Sequence, residues 1–486
     1  MYKRPPLPIN RKIILRDHDP EIAESISREH QLQLLTGKVL AARGFSAGDA
    51  LEQFLNPTLK DGLESPDKLK NLKEAARLIA ECVKGGELVA ICSDFDVDGL
   101  SSAAQLHELL CYARAKSLIL VPDRFQDGYG LNQRLIDIAA GQGAKLLVCL
   151  DFGTTNHKEL KYAHALGIKS VVIDHHEISG EIPECDVFVN PHQAGCNFAK
   201  FSLSSAGLTW YLVTKLRKLL FEKEQFDARN LLELAALGTI CDMVPLRGIN
   251  RVIARRGLEG ITRSQRPGLL ALKAVSGIRN QVACSDVSFG IGPRINAAGR
   301  IFHGEQVVEL LTTSDMKRAQ ELATNLNRLN QERQETENQV QDLALKQIKE
   351  SGEIEEALVV FDKAFHTGVI GIVAQRLSEK YYRPTAVIGI GEDGLLKGSV
   401  RGIKGMSVVE LLGEASKYLI KFGGHEGAGG FSLNPDKFNS FKKAFIKAAR
   451  DKFQEISPEP TVEVDVSTQL QDIDFKTVAE FKALAP

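Results

Sequence analysis

Six aspartates and a His-His pair fall at the ends of successive apolar runs in the first half of this 486-residue chain. The segments are S-D-F-D-V-D-G (Ser93 to Gly99), V-C-L-D-F-G (Val148 to Gly153), V-I-D-H-H (Val172 to His176) and G-T-I-C-D-M-V-P (Gly238 to Pro245). Acids gathered at one edge repel each other, and divalent cations are the usual remedy. Hard cations prefer carboxylate oxygen, and imidazole widens the choice to manganese. Asp94, Asp96 and Asp98 alternate, so an extended chain would turn all three to one face. The plainer reading is an acidic turn that caps the next helix. Asp151 comes directly off K-L-L-V-C-L, where a lone Asp is ordinarily a cap. Asp174-His175-His176 is more specific, because two imidazoles at a buried strand end are costly unless they ligate or hydrogen-bond. One ring would take metal and its neighbour a phosphate. Asp242 sits in an apolar run and needs a partner there.

The elements that must position these groups are legible as an alternation. Leu88–Cys92, Ser117–Val121, Lys145–Leu150, Ser170–Ile173 and Val187–Val189 read as short apolar strands. Helical stretches over Ser101–Arg114, Asn132–Ala140 and His157–Leu166 separate them. This β-α-β-α order predicts a parallel, doubly wound α/β sheet, whose sites form beyond the carboxyl ends of the strands. Ser204–Leu220 and Asp227–Ile240 read as helices, the second ending at Asp242. Residues 315–350 form one long charged helix, about 50 Å at 1.5 Å per residue, read as a connector between two domains. The alternative is a solvated coiled-coil arm. A smaller α/β domain follows, with strands at Ala357–Phe361 and Thr385–Ile390 and a helix at Gly368–Tyr382. The expected divisions are 1–85, a helical lead-in; 86–312; the connector 313–352; 353–456; and a C-terminal segment 457–486 that reads as the start of a further region.

Composition narrows the class. Hydrophobic content of 43% and charged content of 25% match a globular protein. Lys plus Arg (61) nearly cancels Asp plus Glu (62), so net charge does not advertise a nucleic-acid binder, although a local groove can still be basic. The eight cysteines form no C-x-x-C pair, which disfavours zinc ribbons and thioredoxin-like chemistry. Reduced thiols, a cytoplasmic location and no membrane span are expected. No G-x-S-x-G elbow is present, which disfavours serine-hydrolase chemistry. Trp210 lies in an apolar helical stretch and reads as core.

Three further segments could bind anions. G-P-R-I-N-A-A-G-R offers Arg294, Asn296 and Arg300 between small residues, suited to clamping phosphate or to structural pairing with acids. K-G-S-V-R-G carries Ser399 and Arg401, and F-G-G-H-E-G-A-G-G carries Gly424 and His425; both can turn backbone N–H groups to phosphate. Neither has the spacing of a nucleotide P-loop.

Together these residues resemble the DHH phosphoesterase superfamily, and within it the bacterial RecJ single-strand-specific exonucleases. The match runs in order from about residue 85 to 430. It includes P-D-R-F-Q-D-G-Y-G-L (Pro122 to Leu131), L-N-Q-E-R and H-T-G-V-I-G-I-V-A-Q-R-L besides the segments above. The resemblance implies a DHH catalytic domain joined by a long connector helix to a smaller DHHA1 domain across a cleft. It implies two divalent cations, Mn²⁺ or Mg²⁺, held by Asp94, Asp96, Asp98, Asp151, His175 and Asp242. Asp151, His175 and His176 would carry catalysis, with His176 on the scissile phosphate. Arg124, Ser399 and Arg401 would bind the 5′ end or backbone phosphates. Arg294, Asn296, Arg300, His366, Gly424 and His425 would add cleft contacts. The implied substrate is single-stranded DNA, cut from 5′ to 3′ in repair and recombination by a monomer working with a helicase and a single-strand-binding protein.

The departures are informative. Asp151-Phe152-Gly153 stands where these chains usually have Asp-Asn-Gly. I-F-H-G-E follows Arg300 in place of an acidic, Met-containing run. Phe365 precedes His366 where Trp is common, and Gly402 follows Arg401 in place of Ser. These bear on rate and strand contacts, not on the metal ligands. The rivals are a DHH phosphodiesterase of short oligonucleotides or cyclic dinucleotides, a pyrophosphatase or polyphosphatase, and a non-catalytic DHH scaffold.

Overall fold

The computed structural model describes residues 11–123, 127–198, 203–222, 225–301, 304–352 and 354–486. They divide into two compact units, one of residues 18–330 with 469–486, the other of residues 331–468 with the start of the chain.

The first unit is built on a five-stranded sheet in the spatial order Ser117–Leu120, Leu88–Ser93, Ala144–Leu150, Lys169–Ile173, Val187–Val189. All four pairings are parallel, as the helix-strand alternation predicts. Parallel strands need helical crossovers, and these bury both sheet faces. One face packs Val89, Ile91, Val148 and Ile173 against the helices Leu72–Lys84, Val97–Tyr112 and Ser205–Leu220. The other packs Ala90, Cys92, Leu147 and Val172 against Gln133–Gly141 and His157–Ala165. Trp210 is buried as expected, and its indole N–H donates to Ala228 O at 2.8 Å.

The second unit is a mixed sheet in the order Lys421–Gly424, Ala428–Leu433, Leu396–Arg401, Thr385–Ile390, Leu358–Phe361. Only the last pair is parallel. The Phe438–Ile456 helix covers one face through Phe441 and Phe445, and Ile370–Tyr381 covers the other through Val373 and Leu377.

The long helix runs from Met316 to Glu350. Ala319, Leu322, Ala323 and Leu326 belong to the core of the first unit, and Val340, Ala344 and Ile348 to that of the second. Both halves are therefore packed, which disposes of a solvated arm. The lead-in departs from its expected all-helical form. Residues 12–15 form a strand that pairs in parallel with Thr461–Val464. An isolated K-I-I-L run carries no partner information, so its strand character was hidden. The last helix, Phe475–Ala483, returns to the first unit, where Glu480 accepts from the Gln33 N–H and the Thr36 hydroxyl at 2.9 and 2.6 Å.

Candidate metal centre

Sheet register does the first part of the assembly. Ser93 is aligned with Leu150, Leu150 with Ile173, and Ile173 with Val189. The next residue of three adjacent strands is an aspartate, and each continues the ladder by one bond. Asp94 N–H donates to Leu150 O at 3.2 Å, Asp151 N–H to Ile173 O at 3.0 Å, and Asp174 N–H to Val189 O at 3.0 Å. Three carboxylates thus stand side by side at the carboxyl edge.

Beyond Asp94 the chain does not stay extended. Asp96 caps the Val97–Tyr112 helix, its carboxylate accepting from Asp98 N–H at 2.9 Å and Gly99 N–H at 3.1 Å. Alternation along a strand is therefore not what gathers these acids; a tight turn into a helix does. Gly99 makes the turn possible, since a Cβ there would lie 2.5 Å from Asp94 O. Asp98, in the first turn, is buried against the start of the Ser205–Leu220 helix. It accepts from Ser205 N–H at 2.7 Å and Ala206 N–H at 2.9 Å, where free N–H groups and the helix dipole favour an anion. Gly238 lets the Leu232–Cys241 helix approach, because a Cβ there would stand 2.3 Å from Asp98 Oδ1. That helix ends at Asp242, its C-cap.

His175 Nε2 is the hub. It lies 3.2 Å from Asp151 Oδ1, 3.6 Å from Asp242 Oδ2 and 3.7 Å from Asp98 Oδ2. Burial, with His176 beside it, lowers the His175 pKa to about 4, so the ring is neutral at pH 7. Burial and the neighbouring carboxylates push Asp98 and Asp151 well above the ordinary value, and burial with Asp96 raises Asp242 to about 7. Asp151 Oδ1 and His175 Nε2 are both buried without a hydrogen-bond partner among the described residues. Asp151 is also held in the left-handed region at φ 67°, a strained setting for a non-glycine residue and one that gathers at functional sites.

Ligand atoms of Asp94, Asp96 and Asp151 lie within 4.8 Å of one another, as do those of Asp98, His175 and Asp242, and those of Asp151, His175 and His176. Phe152, the departure from Asp-Asn-Gly, is turned away from this cluster into the second core with Leu160 and Val172.

Asp174 does something different from its neighbours. Its Oδ1 accepts from His175 N–H at 2.8 Å, His176 N–H at 3.2 Å and the His176 ring at 2.7 Å. Its Oδ2 accepts from Thr154 N–H at 3.0 Å and the Thr154 hydroxyl at 2.6 Å. A carboxylate can only accept, so Nδ1 of His176 carries the proton. Burial works against the charge, but the bonds from His176 and Thr154 outweigh it and hold Asp174 below the ordinary range. His176 is likewise disfavoured by burial, yet Asp174 raises it to about 9. A cationic imidazole therefore stands beside the carboxylates. Asn190 braces the pair, donating to Thr154 Oγ1 at 3.2 Å and His176 O at 2.9 Å. Tyr129 donates to Asp151 O at 3.1 Å and lies 3.4 Å from His176 Nε2. Sequence reading singled out none of Tyr129, Thr154 and Asn190. Only Tyr129 had a signal, its place in the Pro122–Leu131 segment.

The expected substrate contacts divide. Arg124 lies outside the described residues. Arg294 is engaged by protein: Nε donates to Asn327 Oδ1, Nη1 to Gly290 O and Nη2 to Val275 O. These contacts are the structural pairing that competed with a phosphate clamp, made to neutral acceptors in place of acids. Asn296 accepts from Val97 N–H at 3.1 Å and so buttresses the acidic turn. Arg300 stands on the Gly292–Ile301 helix. In the second unit, Ser399 and Arg401 share the more open face of their strand, and Arg401 donates to Ser399 Oγ at 3.0 Å. Gly371, in the first turn of Ile370–Tyr381, is close to both, since a Cβ there would be 3.1 Å from Ser399 Oγ and 3.2 Å from Arg401 Nη2. His366 is exposed before that helix and accepts from Gly368 N–H. Gly424, at φ 148°, and exposed His425 form the turn of the edge hairpin.

Comparison with known proteins matches this layout. A family model described as the DHH family, N-terminal domain, matches residues 88–239, and the DHHA1 domain matches residues 355–451. The single-stranded-DNA-specific exonuclease RecJ of Bacillus subtilis is 34% identical over 470 residues, 96% of this chain and 59% of its own length. The Escherichia coli protein of the same name is 35% identical over 445 residues, 87% of this chain and 76% of its own length. This chain therefore spans little more than half of the Bacillus relative. The crystal structure of RecJ from Thermus thermophilus with Mn²⁺ superposes at a TM-score of 0.82 and 29% identity, covering 98% of this chain and 67% of that one. A structure of the same protein with Mg²⁺ superposes at 0.76 and 27% identity, covering 98% and 65%. With two thirds or more of the Escherichia coli protein matched at this identity, the chain belongs to the RecJ family of the DHH superfamily.

Proposed function

We propose that this protein is a divalent-metal-dependent exonuclease that hydrolyses the phosphodiesters of single-stranded DNA from the 5′ end. The observation that carries the reading is the buried cluster of Asp98, Asp151, Asp242 and neutral His175, with Asp151 Oδ1 and His175 Nε2 lacking a hydrogen-bond partner among the described residues. Ionised carboxylates gathered this closely against an imidazole lone pair are stabilised by positive charge among them. The donor set of oxygens with one imidazole nitrogen fits Mn²⁺ or Mg²⁺. Asp94, Asp96 and Asp151 would hold one such ion, and Asp98, His175 and Asp242 another.

Two such ions, when bound, supply Lewis-acid charge to the phosphodiester and acidify a water. The remaining steps belong to the chain. His176, kept protonated by Asp174, offers a fixed cation to a phosphate oxygen, where preorganised charge counts most. Tyr129 stands beside that ring, and Asn190 holds the His176 backbone in place. Ser399, Arg401 and the helix start at Gly371 form an anion cradle suited to a terminal or backbone phosphate. His366, Gly424 and His425 line the same unit for further strand contacts. The 5′ polarity in this proposal rests on membership of the RecJ family.

The test is Mn²⁺-dependent digestion of long single strands labelled at either end, beside matched duplex and a dinucleotide, with Asp151→Asn as control. Asn tolerates the left-handed backbone and keeps the shape while removing the charge. Stepwise loss from the 5′ end, cut by Asp151→Asn to less than about a hundredth, is expected. Rapid dinucleotide cleavage with long strands untouched, or no cleavage at all, would sink the proposal.

A further inference from the structure

The Ser205–Leu220 helix begins at the metal centre, where its first N–H groups hold Asp98. Its far end is not used by the metal chemistry. Trp210, Thr214 and Arg217 follow at helical spacing and share one face of it. The segment at residues 226–228 is fastened against that face. The Trp210 indole donates to Ala228 O at 2.8 Å, and Arg217 Nη1 to Phe226 O at 2.9 Å. These residues line a cavity of about 440 Å³, to which Leu59 adds a further apolar wall. Arg217 lies about 18 Å along the helix from Ser205, at 1.5 Å per residue, so the cavity is no part of the metal centre.

Two polar atoms of this cavity are unused by the fold. Thr214 Oγ1 and Arg217 Nε are buried and have no hydrogen-bond partner among the described residues. Three residues apart on a helix, they are neighbours, and both can donate to one oxygen entering the cavity. Leaving such donors unmade is costly. Charge favours an anion. Asp227 also lines the cavity, but Arg229 holds both of its oxygens, Nε at 2.9 Å and Nη2 at 2.6 Å. That pairing leaves Arg217 as the surplus positive charge of the lining. An adjoining cavity of about 370 Å³ shares Arg217 and Phe226 and adds Lys218 beside Glu222. Trp210 and Phe226 are already packed on neighbours, Trp210 edge-on to Tyr211 and Phe226 beside Phe221. They are fixed walls of a preformed pocket, the usual form of a small-molecule site.

We infer that this cavity is a second ligand site, which takes a nucleoside monophosphate. The base lies along the apolar wall, and a phosphate oxygen accepts from the Thr214 hydroxyl and Arg217 Nε. Lys218 supplies a second positive group to the same phosphate. The site stands on the cavity and its two unpartnered donors. The choice of ligand rests on the nuclease reading, because hydrolysis of a strand from its end releases molecules of this class.

The test reads the fluorescence of Trp210, the only tryptophan of the chain, during titration of the whole protein with 5′-dAMP in chelator. A saturable change is expected, with a Kd about tenfold or more below that of deoxyadenosine, which lacks the phosphate. Thr214→Val should weaken 5′-dAMP about three- to tenfold, and Arg217→Lys about tenfold or more. Thr214→Val should melt no lower than wild type, because it removes a buried hydroxyl that has no partner, so its loss of affinity is not unfolding. Its Mn²⁺-dependent digestion of single strands should match wild type. No saturable change, equal affinity for deoxyadenosine, or variants that bind as wild type does would overturn the site and leave the nuclease reading standing. A wild type that binds 5′-dAMP in this way but cuts no strand removes the nuclease reading and keeps the site.

Discussion

At the scale of single residues, the centre is a set of neighbouring titrations. Asp98, Asp151 and Asp242 have folded-state values above their unfolded ones, and His176 is raised to about 9. A carboxyl so raised favours the folded state when protonated, and the advantage is lost as pH climbs from the ordinary carboxylate range through about 7 for Asp242. The His176 contribution is complete below its unfolded value and is lost as pH rises through about 9. Both act in the same direction, so metal-free protein should melt on the order of 5 °C lower at pH 8.5 than at pH 6. Saturating Mn²⁺ should raise the melting temperature and flatten the dependence; a scan by calorimetry in chelator and in metal reads both. Asp174 acts through His176. Asp174→Asn removes the charge that keeps the imidazole protonated, so the basic limb of the pH–rate profile should move to lower pH. The rate should fall about 10- to 100-fold, and a purely structural role would lower activity without moving the limb.

At the scale of elements, the site depends on close approach. The helix ending at Asp242 reaches the cluster only because position 238 lacks a side chain. In Gly238→Ala the new Cβ would press on Asp98 Oδ1, Ala206 Cβ and Ser101 Oγ, at 2.3, 2.5 and 2.8 Å. Overpacking of this kind costs about 1–3 kcal/mol, and displacing Asp98 from its two N–H donors should weaken Mn²⁺ binding about 10- to 100-fold. Titration calorimetry with thermal unfolding separates the two effects, and unchanged metal affinity would show that Asp98 has room to yield. Most strand limits agree with the sequence reading to within a residue, because short apolar runs between turn residues have few alternatives. The D-F-D-V-D-G segment escaped it, because alternation suits a strand while the Asp96 cap and Gly99 carry the chain into a helix.

At the scale of the whole chain, two units share one helix. In the second unit Glu337 is buried on that helix, between Arg333 at 2.9 Å and the guanidinium of Arg376. Removing one partner of a buried ion cluster leaves charge uncompensated at a cost of about 3–5 kcal/mol. Glu337→Ala should therefore lower the calorimetric transition of the unit formed by residues 331–468, with Mn²⁺ affinity of the first unit retained; loss of both together would show that the units unfold as one. Residue type and order were sufficient to determine the parallel α/β sheet, the long helix, the second α/β unit and the identity of the clustered acids and histidines, because each is written in local periodicity or an unbroken motif. Only tertiary structure decided that the sheet register sets Asp94, Asp151 and Asp174 side by side, and that Asp174 serves His176 from behind the cluster. It also decided that Arg294 is held by protein carbonyls and an amide, that residues 12–15 pair with residues 461–464, and that Met243 stands strained and exposed. The physical reason is common to all of them. Register, hydrogen bonds between distant segments and backbone strain depend on which parts of the chain the fold brings together, or on the direction in which the chain is made to turn, and no local pattern encodes either.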